Sequence, residues 1–208
     1  MRGESMREIS VEEPLNIAIL ISGSGSGMEA LVKHQLSHVS LHQTALVLSN
    51  KKNVKGLERA DNHDIPTEVI EIDSTLIDKD EQREEHEKRI LTKLEEYNIE
   101  LVILSGYMRI LSPFFVSKWS GRLLNIHPSL LPKYPGAHAH RDALNDGAKI
   151  TGCTVHLVDE GVDSGPILSQ ASLEILPNDD ENSLSDRVKK LEHKLYPETI
   201  DKFVKSLI

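Results

Sequence analysis

A run of apolar residues near the start of the chain, Ile17-Ala18-Ile19-Leu20-Ile21, restricts the fold more than any other feature. Successive side chains of a β-strand point to opposite faces, so a strand that is apolar at every position must be covered on both faces. Helices on each side of a parallel sheet provide that cover. A second apolar run, Leu101-Val102-Ile103-Leu104, shows the same pattern. The two runs therefore predict an α/β protein.

The remaining patterns alternate between strand and helix. Strands are predicted at about 16–22, 45–49, 67–72, 101–104, 151–158 and 166–173, and helices at about 28–38, 55–63, 81–97, 140–146 and from 181 onward. This alternation predicts a single domain, residues 15–208, with a mostly parallel twisted sheet, helices on both faces and antiparallel strands toward the C-terminal part. Residues 1–14 are polar, and we expect a disordered tail. Pro197 is expected to kink or restart the last helix.

The composition limits the partners that this chain can have. A formal net charge of −9 argues against binding to nucleic acid or to an anionic membrane surface. No apolar run approaches the roughly 18 residues that a membrane-spanning helix needs. The single cysteine, Cys153, excludes an internal disulfide framework. We therefore expect a cytoplasmic protein that acts on small molecules, and the sequence leaves both a monomer and a homodimer open.

A glycine-rich segment, Ser22-Gly23-Ser24-Gly25-Ser26-Gly27, separates the first strand from the first helix. Glycines allow the backbone to approach a ligand closely, and the free N–H groups at a helix N-terminus attract anions such as phosphate. The segment is neither G-x-G-x-x-G nor a P-loop, and residues 30–57 contain no acid that could bind a ribose. This disfavours NAD and ATP and favours the phosphate of a small substrate. A tight turn without any ligand is the alternative.

Asn125 and His127 lie two residues apart, at the end of a predicted short strand that contains Leu123-Leu124. Residues at this spacing point to the same face, so an amide and an imidazole can act on one small volume. That pair suits a reaction in which an oxygen gains negative charge. Asp163, in a glycine-flanked turn, could reach the same volume beside His127, or it could simply cap the turn.

Three segments with polar or glycine residues follow predicted strand ends, namely Gly23–Gly27, Gly106–Leu111 and Asn125–Ser129. In open α/β sheets, ligands bind beyond the carboxyl ends of the strands. We therefore expect the three segments to face one cleft, although they are far apart in the sequence.

Two motifs, Asn125–Pro132 (NIHPSLLP) and Asp163–Pro166 (DSGP), resemble motifs of the formyltetrahydrofolate-dependent formyltransferases. The resemblance extends from about Asn16 to the C-terminus and includes Gly106–Leu111 (GYMRIL) and Glu192-His193. Within that family, the sequence is most similar to the enzymes that formylate glycinamide ribonucleotide in purine synthesis. The resemblance implies the family's Rossmann-like fold.

The resemblance also implies a reaction. The formyl group of 10-formyltetrahydrofolate, a co-substrate, would pass to the amine of 5-phosphoribosylglycinamide. The Asn125 amide and His127 would stabilise the tetrahedral oxyanion that forms on the way. Asp163 would hold His127 in its charged form and help to move a proton from the attacking amine. This chemistry requires neither a metal nor a covalent enzyme intermediate.

Two groups of binding residues follow from the same resemblance. The ribonucleotide is expected to contact Gly25, Ser26, Gly27 and Glu192. The folate is expected to contact Arg83, Met108, Arg109, Ile110, Leu111 and Asn125, largely through the backbone of the 108–111 segment.

Position 27 departs from the family pattern, which usually has an asparagine where this chain has Gly27. An asparagine amide can donate a hydrogen bond to phosphate, whereas glycine offers only its backbone N–H. We therefore expect either weaker phosphate binding or another donor that compensates.

Other functions remain as alternatives. His127, His138 and His140 would form a zinc set, but no cysteine or glutamate pair joins them at a familiar spacing. Cys153 could act as a nucleophile, although its place inside a strand pattern favours a buried small side chain. On the same fold, a formyltetrahydrofolate hydrolase or a non-catalytic folate- or nucleotide-binding protein is the alternative to a transferase.

Overall fold

Seven strands form one sheet at the centre of the computed structural model, which describes residues 8–208. The strands are β1 Leu15–Ile21, β2 His42–Ser49, β3 Thr67–Val69, β4 Leu101–Leu104, β5 Leu123–His127, β6 Ile150–Leu157 and β7 Ile167–Glu174. The helices are α1 Ser26–Ser37, α2 Lys55–Asp61, α3 Lys79–Glu96, α4 Pro113–Lys118, α5 Ala139–Asn145 and α6 Glu181–Lys205.

The strand order is β3-β2-β1-β4-β5-β6-β7. The first five strands in this order are parallel, whereas β6 is antiparallel to β5 and β7 is antiparallel to β6. The order reverses between β1 and β4, and such a reversal leaves a crevice beyond the carboxyl ends of the strands. The predicted mostly parallel sheet with antiparallel strands toward the C-terminus is confirmed.

The central strand β1 shows why helices cover both faces of the sheet. Ile17, Ile19 and Ile21 pack in one core cluster with residues of α1 and α6. Ala18 and Leu20 pack in a second cluster with residues of α3 and α4. All five side chains are fully buried. Because alternate residues of the run enter opposite cores, the run needs cover on both sides, as predicted from the sequence.

The loops after β1 and β4 are hydrogen-bonded to each other at the carboxyl edge of the sheet. The Ser105 N–H donates to the Leu20 carbonyl at 3.0 Å, and the Ser22 N–H donates to the Gly106 carbonyl at 3.2 Å. The Ser22 hydroxyl accepts from the Met108 N–H at 2.8 Å. Since β5 pairs with β4, its exit borders the same edge. The expected meeting of three strand ends is therefore present.

Helix α4, Pro113–Lys118, is absent from the sequence prediction. The Ser112 hydroxyl caps it by accepting from the Phe115 N–H at 3.2 Å. The Ser112 N–H donates to the buried Glu87 carboxylate on α3 at 2.6 Å. A helix this short shows no usable periodicity, so it depends on the cap and on burial of its apolar side chains.

Helix α6 runs without interruption from Glu181 to Lys205, so the expected restart at Pro197 is wrong. Proline has no N–H, so it cannot donate to the His193 carbonyl one turn earlier. Apolar side chains on both sides of Pro197, including Val188 and Ile200, are fully buried. Their burial offsets the lost hydrogen bond and keeps the helix continuous.

The start of the domain is fixed to the core. Ile9 is 6% exposed and packs in the first core cluster, and the Leu15 N–H donates to the Leu41 carbonyl at 2.8 Å. Residues 1–7 of the predicted tail lie outside the described residues. The domain boundary between positions 14 and 15 stays a prediction.

Candidate active site

Helix α1 begins directly after the glycine-rich segment. Gly25, which precedes the helix, has a φ of 66°, and a Cβ there would lie 2.5 Å from the Gly56 Cα. Glycine is required by both the left-handed conformation and this close approach. The Gly56 N–H also donates to the Gly23 carbonyl at 3.0 Å, which fixes the loop. The free N–H groups of the first turn of α1 are thus held at the carboxyl edge of the sheet, where an anion can accept from them.

The glycine-rich segment lines a cavity of about 390 Å³, which we call the glycine-loop cavity. Ser105, Lys189, Glu192 and His193 also line it. The His193 Nε2 lies 3.2 Å from the Ser26 hydroxyl, which links α6 to the start of α1. The cavity therefore offers hydroxyl groups, N–H groups and an ammonium group to an anion, and a carboxyl group to an amine.

Burial shifts the pKa of three ionisable groups in this cavity, Glu192, His140 and His193. It raises the pKa of Glu192 to about 7, against the opposing charge of Lys189. Burial lowers the pKa of the His140 and His193 imidazoles, and the charge of Lys189 acts in the same direction on both. Near neutral pH the two imidazoles are therefore uncharged, whereas Glu192 is close to the midpoint of its titration.

His127 ends β5 and is buried. Its Nδ1 lies 3.2 Å from the Asp163 Oδ2, and its Nε2 lies 2.8 Å from the Tyr134 carbonyl oxygen. Both partners are acceptors, so a ring with hydrogens on both nitrogens satisfies both contacts. The structure thus brings His127 and Asp163 together.

Asp163 lies in the turn between β6 and β7. It has a φ of 51°, and Tyr134, the other residue that contacts His127, has a φ of 54°. Such left-handed conformations are uncommon for residues other than glycine and often occur at functional sites. Burial would raise the pKa of Asp163, but a 2.8 Å hydrogen bond from the Gly136 N–H and the charge of His127 hold it below its usual value. Asp163 therefore stays ionised at neutral pH.

His156, for which the sequence analysis gave no role, completes this group. Its Nε2 lies 3.2 Å from the Asn125 Nδ2 and 3.6 Å from the Asp163 Oδ1. Its Nδ1 donates to the Leu157 carbonyl at 2.9 Å, which leaves Nε2 to accept from the Asn125 amide. His156 is the cross-strand partner of Asn125 in the β5–β6 pair, and that register is the signal that could have revealed it. We call Asn125, His127, His156 and Asp163 the polar cluster.

A second cavity, of about 130 Å³, adjoins the polar cluster, and we call it the cluster cavity. Of the six predicted folate contacts, four line it, namely Arg109, Ile110, Leu111 and Asn125. Met108 lines the glycine-loop cavity instead. Arg83 lies 3.8 Å from Asp80 in an ion pair on α3 and lines neither cavity. The folate-binding role of all six residues stays a prediction.

The two cavities lie on either side of the exit of β5. Asn125 lines the cluster cavity, whereas the next residue, Ile126, lines the glycine-loop cavity together with Pro128. Three members of the polar cluster, Asn125, His156 and Asp163, line the cluster cavity; none lines the glycine-loop cavity, and His127 lines neither. Because adjacent residues of β5 line different cavities, the two cavities lie next to each other at the exit of this strand.

The alternatives raised by single residues can be compared with the structure. Within residues 8–208, no group of three or more histidine, cysteine, aspartate or glutamate side chains is placed to hold a metal ion. Cys153 is fully buried in β6, and burial raises the pKa of its thiol to about 12, so its predicted role as a buried small side chain is confirmed. None of the helices in this part of the chain has the length and apolar character needed to cross a membrane.

Known proteins resemble the chain over most of its length. Its sequence matches the formyl transferase family over residues 15–200. It is 40% identical over 189 residues to phosphoribosylglycinamide formyltransferase of Escherichia coli (strain K12). That match covers 91% of this chain and 87% of the E. coli enzyme. The chain is 46% identical over 181 residues to the trifunctional purine biosynthetic protein adenosine-3 of Homo sapiens. That match covers 87% of this chain but only 17% of the human protein.

Solved structures give the same result. Phosphoribosylglycinamide formyltransferase from Brucella melitensis superposes with a TM-score of 0.84 at 43% identity, over 91% of this chain and 95% of that one. The enzyme of the same name from Coxiella burnetii superposes with a TM-score of 0.85 at 39% identity, over 93% and 89% of the two chains. The match over residues 15–200 and the identity across most of the E. coli enzyme show that this chain belongs to the formyl transferase family.

Proposed function

We propose that this chain transfers the formyl group of 10-formyltetrahydrofolate to the amine of 5-phosphoribosylglycinamide, giving N-formylglycinamide ribonucleotide and tetrahydrofolate. The observation that carries the proposal is that the two cavities lie next to each other at the exit of β5, and that three members of the polar cluster line one of them. A reaction between two substrates needs two binding volumes that meet at the reacting groups. The relatives from E. coli and B. melitensis, which bear the name of this activity, support the same assignment.

The glycine-loop cavity is assigned to the ribonucleotide. Its phosphate accepts from the N–H groups of Gly25, Ser26 and Gly27 at the start of α1, and Lys189 supplies positive charge in the same cavity. Glu192 faces the glycinamide end, where its carboxylate accepts from N–H groups. This arrangement directs the amine toward the polar cluster.

The cluster cavity is assigned to the formyl-bearing part of the folate. At about 130 Å³ it takes only part of so large a molecule, so the remainder lies along the neighbouring surface. Ile110 is 69% exposed beside this cavity, and Met108 is 71% exposed beside the other, so both offer apolar contact there. Arg83, the sixth predicted folate contact, lies outside both cavities on α3 and is assigned a weak contact only.

The Asn125 amide is assigned to stabilise the oxyanion. The amine nitrogen forms a bond to the formyl carbon, and the formyl oxygen gains negative charge. The Asn125 Nδ2 carries two hydrogens, of which one points to His156 at 3.2 Å. The second has only a 3.5 Å contact with Asp163, at the limit of a hydrogen bond, and is therefore available to the oxyanion.

His127 is assigned to the same oxyanion, under one condition. Both of its ring nitrogens contact protein acceptors, the Asp163 carboxylate and the Tyr134 carbonyl. One of these hydrogen bonds must therefore be exchanged for one to the substrate before His127 can donate to the oxyanion. The 3.2 Å contact with Asp163 is the longer of the two and the easier to exchange.

Asp163 is assigned to proton transfer. The attacking nitrogen must lose a proton after it bonds to carbon, and the folate N10 must gain one as its bond to the formyl carbon breaks. The ionised Asp163 carries the proton from one nitrogen to the other, directly or through a water molecule. The protein is left unchanged at the end of the cycle. Because both substrates are small and water-soluble, the reaction is consistent with the predicted cytoplasmic location.

One assay tests this function. The chain is incubated with 10-formyltetrahydrofolate and glycinamide ribonucleotide, and release of tetrahydrofolate is followed over time. We expect release only when both are present, with one formylated ribonucleotide per tetrahydrofolate. Release without the ribonucleotide would identify a hydrolase, and binding of both compounds without turnover would identify a non-catalytic binding protein.

A further inference from the structure

Gly27, the second residue of α1, lies very close to Ser105, which follows β4. A Cβ built on Gly27 would lie 2.6 Å from the Ser105 Oγ, and no other atom lies within 4 Å of it apart from the adjoining residues and the α1 backbone. The Ser105 hydroxyl therefore occupies the position into which a side chain at residue 27 would project. The glycine and the serine fit each other, because any larger residue at 27 must displace the hydroxyl.

The position of Ser105 is fixed by its backbone. Its N–H donates to the Leu20 carbonyl at 3.0 Å, and the next residue, Gly106, accepts from the Ser22 N–H at 3.2 Å. Ser105 is half-buried and lines the glycine-loop cavity together with Gly27. Within residues 8–208 its hydroxyl has no protein hydrogen-bond partner within bonding distance. The hydroxyl is thus held at the start of α1 and is free to donate into the cavity.

We propose that the Ser105 hydroxyl donates a hydrogen bond to the phosphate of the ribonucleotide, in place of the asparagine amide that the family resemblance predicts at position 27. This inference rests on the proposed function, because it assigns a contact to the same substrate. The Ser105 Oγ is a donor that lies 2.6 Å from the position that the Cβ of an asparagine at residue 27 would take. A hydrogen bond to a charged acceptor is stronger than one to a neutral acceptor, so one hydroxyl is enough to compensate for the missing amide.

The first test is Ser105→Ala, with Ser117→Ala as the matched control. Ser117 is exposed on α4 and lines neither cavity. Loss of a hydrogen bond to phosphate should raise KM for the ribonucleotide about tenfold, with kcat and the KM for the folate within about twofold of wild type. Ser117→Ala should change none of these values. An unchanged KM for the ribonucleotide in Ser105→Ala would overturn the assignment.

A substrate without phosphate shows which group Ser105 contacts. With glycinamide riboside in place of the ribonucleotide, kcat/KM should be equal in wild type and Ser105→Ala, because the acceptor has been removed. An equal loss with both substrates would mean that Ser105 only shapes the cavity, and would refute a phosphate contact. Absence of any turnover by the wild-type protein would instead refute the proposed function, and the Ser105 assignment with it.

The pair Gly27 and Ser105 can also be tested as a unit. In the Ser105→Ala background, Gly27→Asn meets no hydroxyl and supplies an amide, so it should recover most of the lost affinity for the ribonucleotide. In the wild-type background, the same substitution must displace the Ser105 hydroxyl, so one donor is gained and another is lost. The KM for the ribonucleotide should therefore fall by less than about twofold. Equal effects in the two backgrounds would contradict the idea that one donor replaces the other.

Discussion

The two cavities beside β5 are built from different parts of the chain. In the glycine-loop cavity, backbone N–H groups and small side chains at the start of α1 form the wall, and few of its side chains bond to one another. In the polar cluster, every side chain contacts another member of the cluster, and His127 bonds to protein through both ring nitrogens. A wall of backbone tolerates exchange of one side-chain donor for another, as we propose for Gly27 and Ser105. A cluster of interlocked side chains does not, because removing one displaces the others.

Asp163→Asn should have the largest effect, because it removes the negative charge that the polar cluster surrounds. The asparagine can still accept from the Gly136 N–H, so the turn should keep its conformation. We expect kcat to fall by at least about 100-fold, with the melting temperature within a few degrees of wild type. Steady-state kinetics and thermal unfolding measure the two quantities. The control is Asp142→Asn, which alters a half-buried carboxylate on α5 that lines neither cavity. A wild-type kcat in Asp163→Asn would remove the proposed proton carrier.

His156→Phe should have the next largest effect. It keeps a ring in the buried position but removes the Nε2 that accepts from the Asn125 amide at 3.2 Å. The amide loses its orientation, and a small misplacement of a reacting group costs up to about 100-fold in rate, so we expect kcat to fall by about 10-fold to 100-fold. The KM for the ribonucleotide should change little, because His156 does not line the glycine-loop cavity.

His38→Phe provides the control for that substitution, since His38 is exposed at the end of α1. If His156→Phe raised KM for the ribonucleotide and left kcat unchanged, the contrast between the two cavities would be lost.

Glu192→Gln should act on substrate affinity and on its pH dependence. Burial raises the Glu192 pKa to about 7, so the carboxylate that accepts from the glycinamide forms as pH rises through that value. In wild type, KM for the ribonucleotide should therefore fall between about pH 6 and about pH 8, whereas the glutamine variant should lose this component of the pH dependence. At about pH 8 we expect KM to be raised roughly fivefold in the variant, since one hydrogen bond has lost its charge.

The same carboxyl has a linked effect on stability. A folded-state pKa above the unfolded value of 4.5 means that the folded protein binds this proton more tightly. The stabilising contribution is complete below the unfolded pKa and is lost as pH rises through about 7. Replacement by the neutral glutamine should therefore raise the melting temperature relative to wild type more at about pH 8 than at about pH 6. If the variant and the wild type differed in melting temperature by the same amount at both pH values, Glu192 would not titrate in this range.

Arg83→Ala should have the smallest effect. Arg83 pairs with Asp80 at 3.8 Å on α3 and lines neither cavity, and partly exposed ion pairs contribute little. We expect the KM for 10-formyltetrahydrofolate to change by less than about twofold. Arg109→Ala, which alters a residue that lines the cluster cavity, is the comparison and should have the larger effect. A tenfold rise of the KM for 10-formyltetrahydrofolate in Arg83→Ala would show that the folate site extends from the cluster cavity to α3.

Features that depend on neighbouring residues in the sequence could be predicted from it. The apolar run of β1 gave the two-sided sheet, and the spacing of Asn125 and His127 along β5 placed two members of the polar cluster. The glycine-rich segment likewise lies where a strand end meets a helix start. In each case the information is local, because strand alternation and helix termini are set by adjacent residues.

Features that depend on tertiary register could not be predicted in this way. His156 joins the polar cluster because β6 pairs antiparallel with β5 and aligns it with Asn125. Ser105 meets Gly27 because the ends of β1 and β4 are adjacent in the sheet. Neither pairing is visible from spacing along the chain. At Pro197 the helix does not restart, because apolar side chains on both sides of it are buried, whereas the kink that the sequence also predicts stays a prediction.

Tyr196 gives α6 a mechanical role in both halves of the site. Its buried hydroxyl lies 3.0 Å from the Leu104 carbonyl and 3.0 Å from the Leu124 carbonyl, and its single hydrogen is shared between them. Leu104 is the last residue before Ser105, and Leu124 is the last before Asn125. One phenol thus fixes the backbone just before Ser105, the proposed phosphate donor, and just before Asn125, the proposed oxyanion donor. A small tilt of α6 would therefore move both residues together. The two proposed substrate sites thus depend on the same pair of contacts made by the Tyr196 hydroxyl.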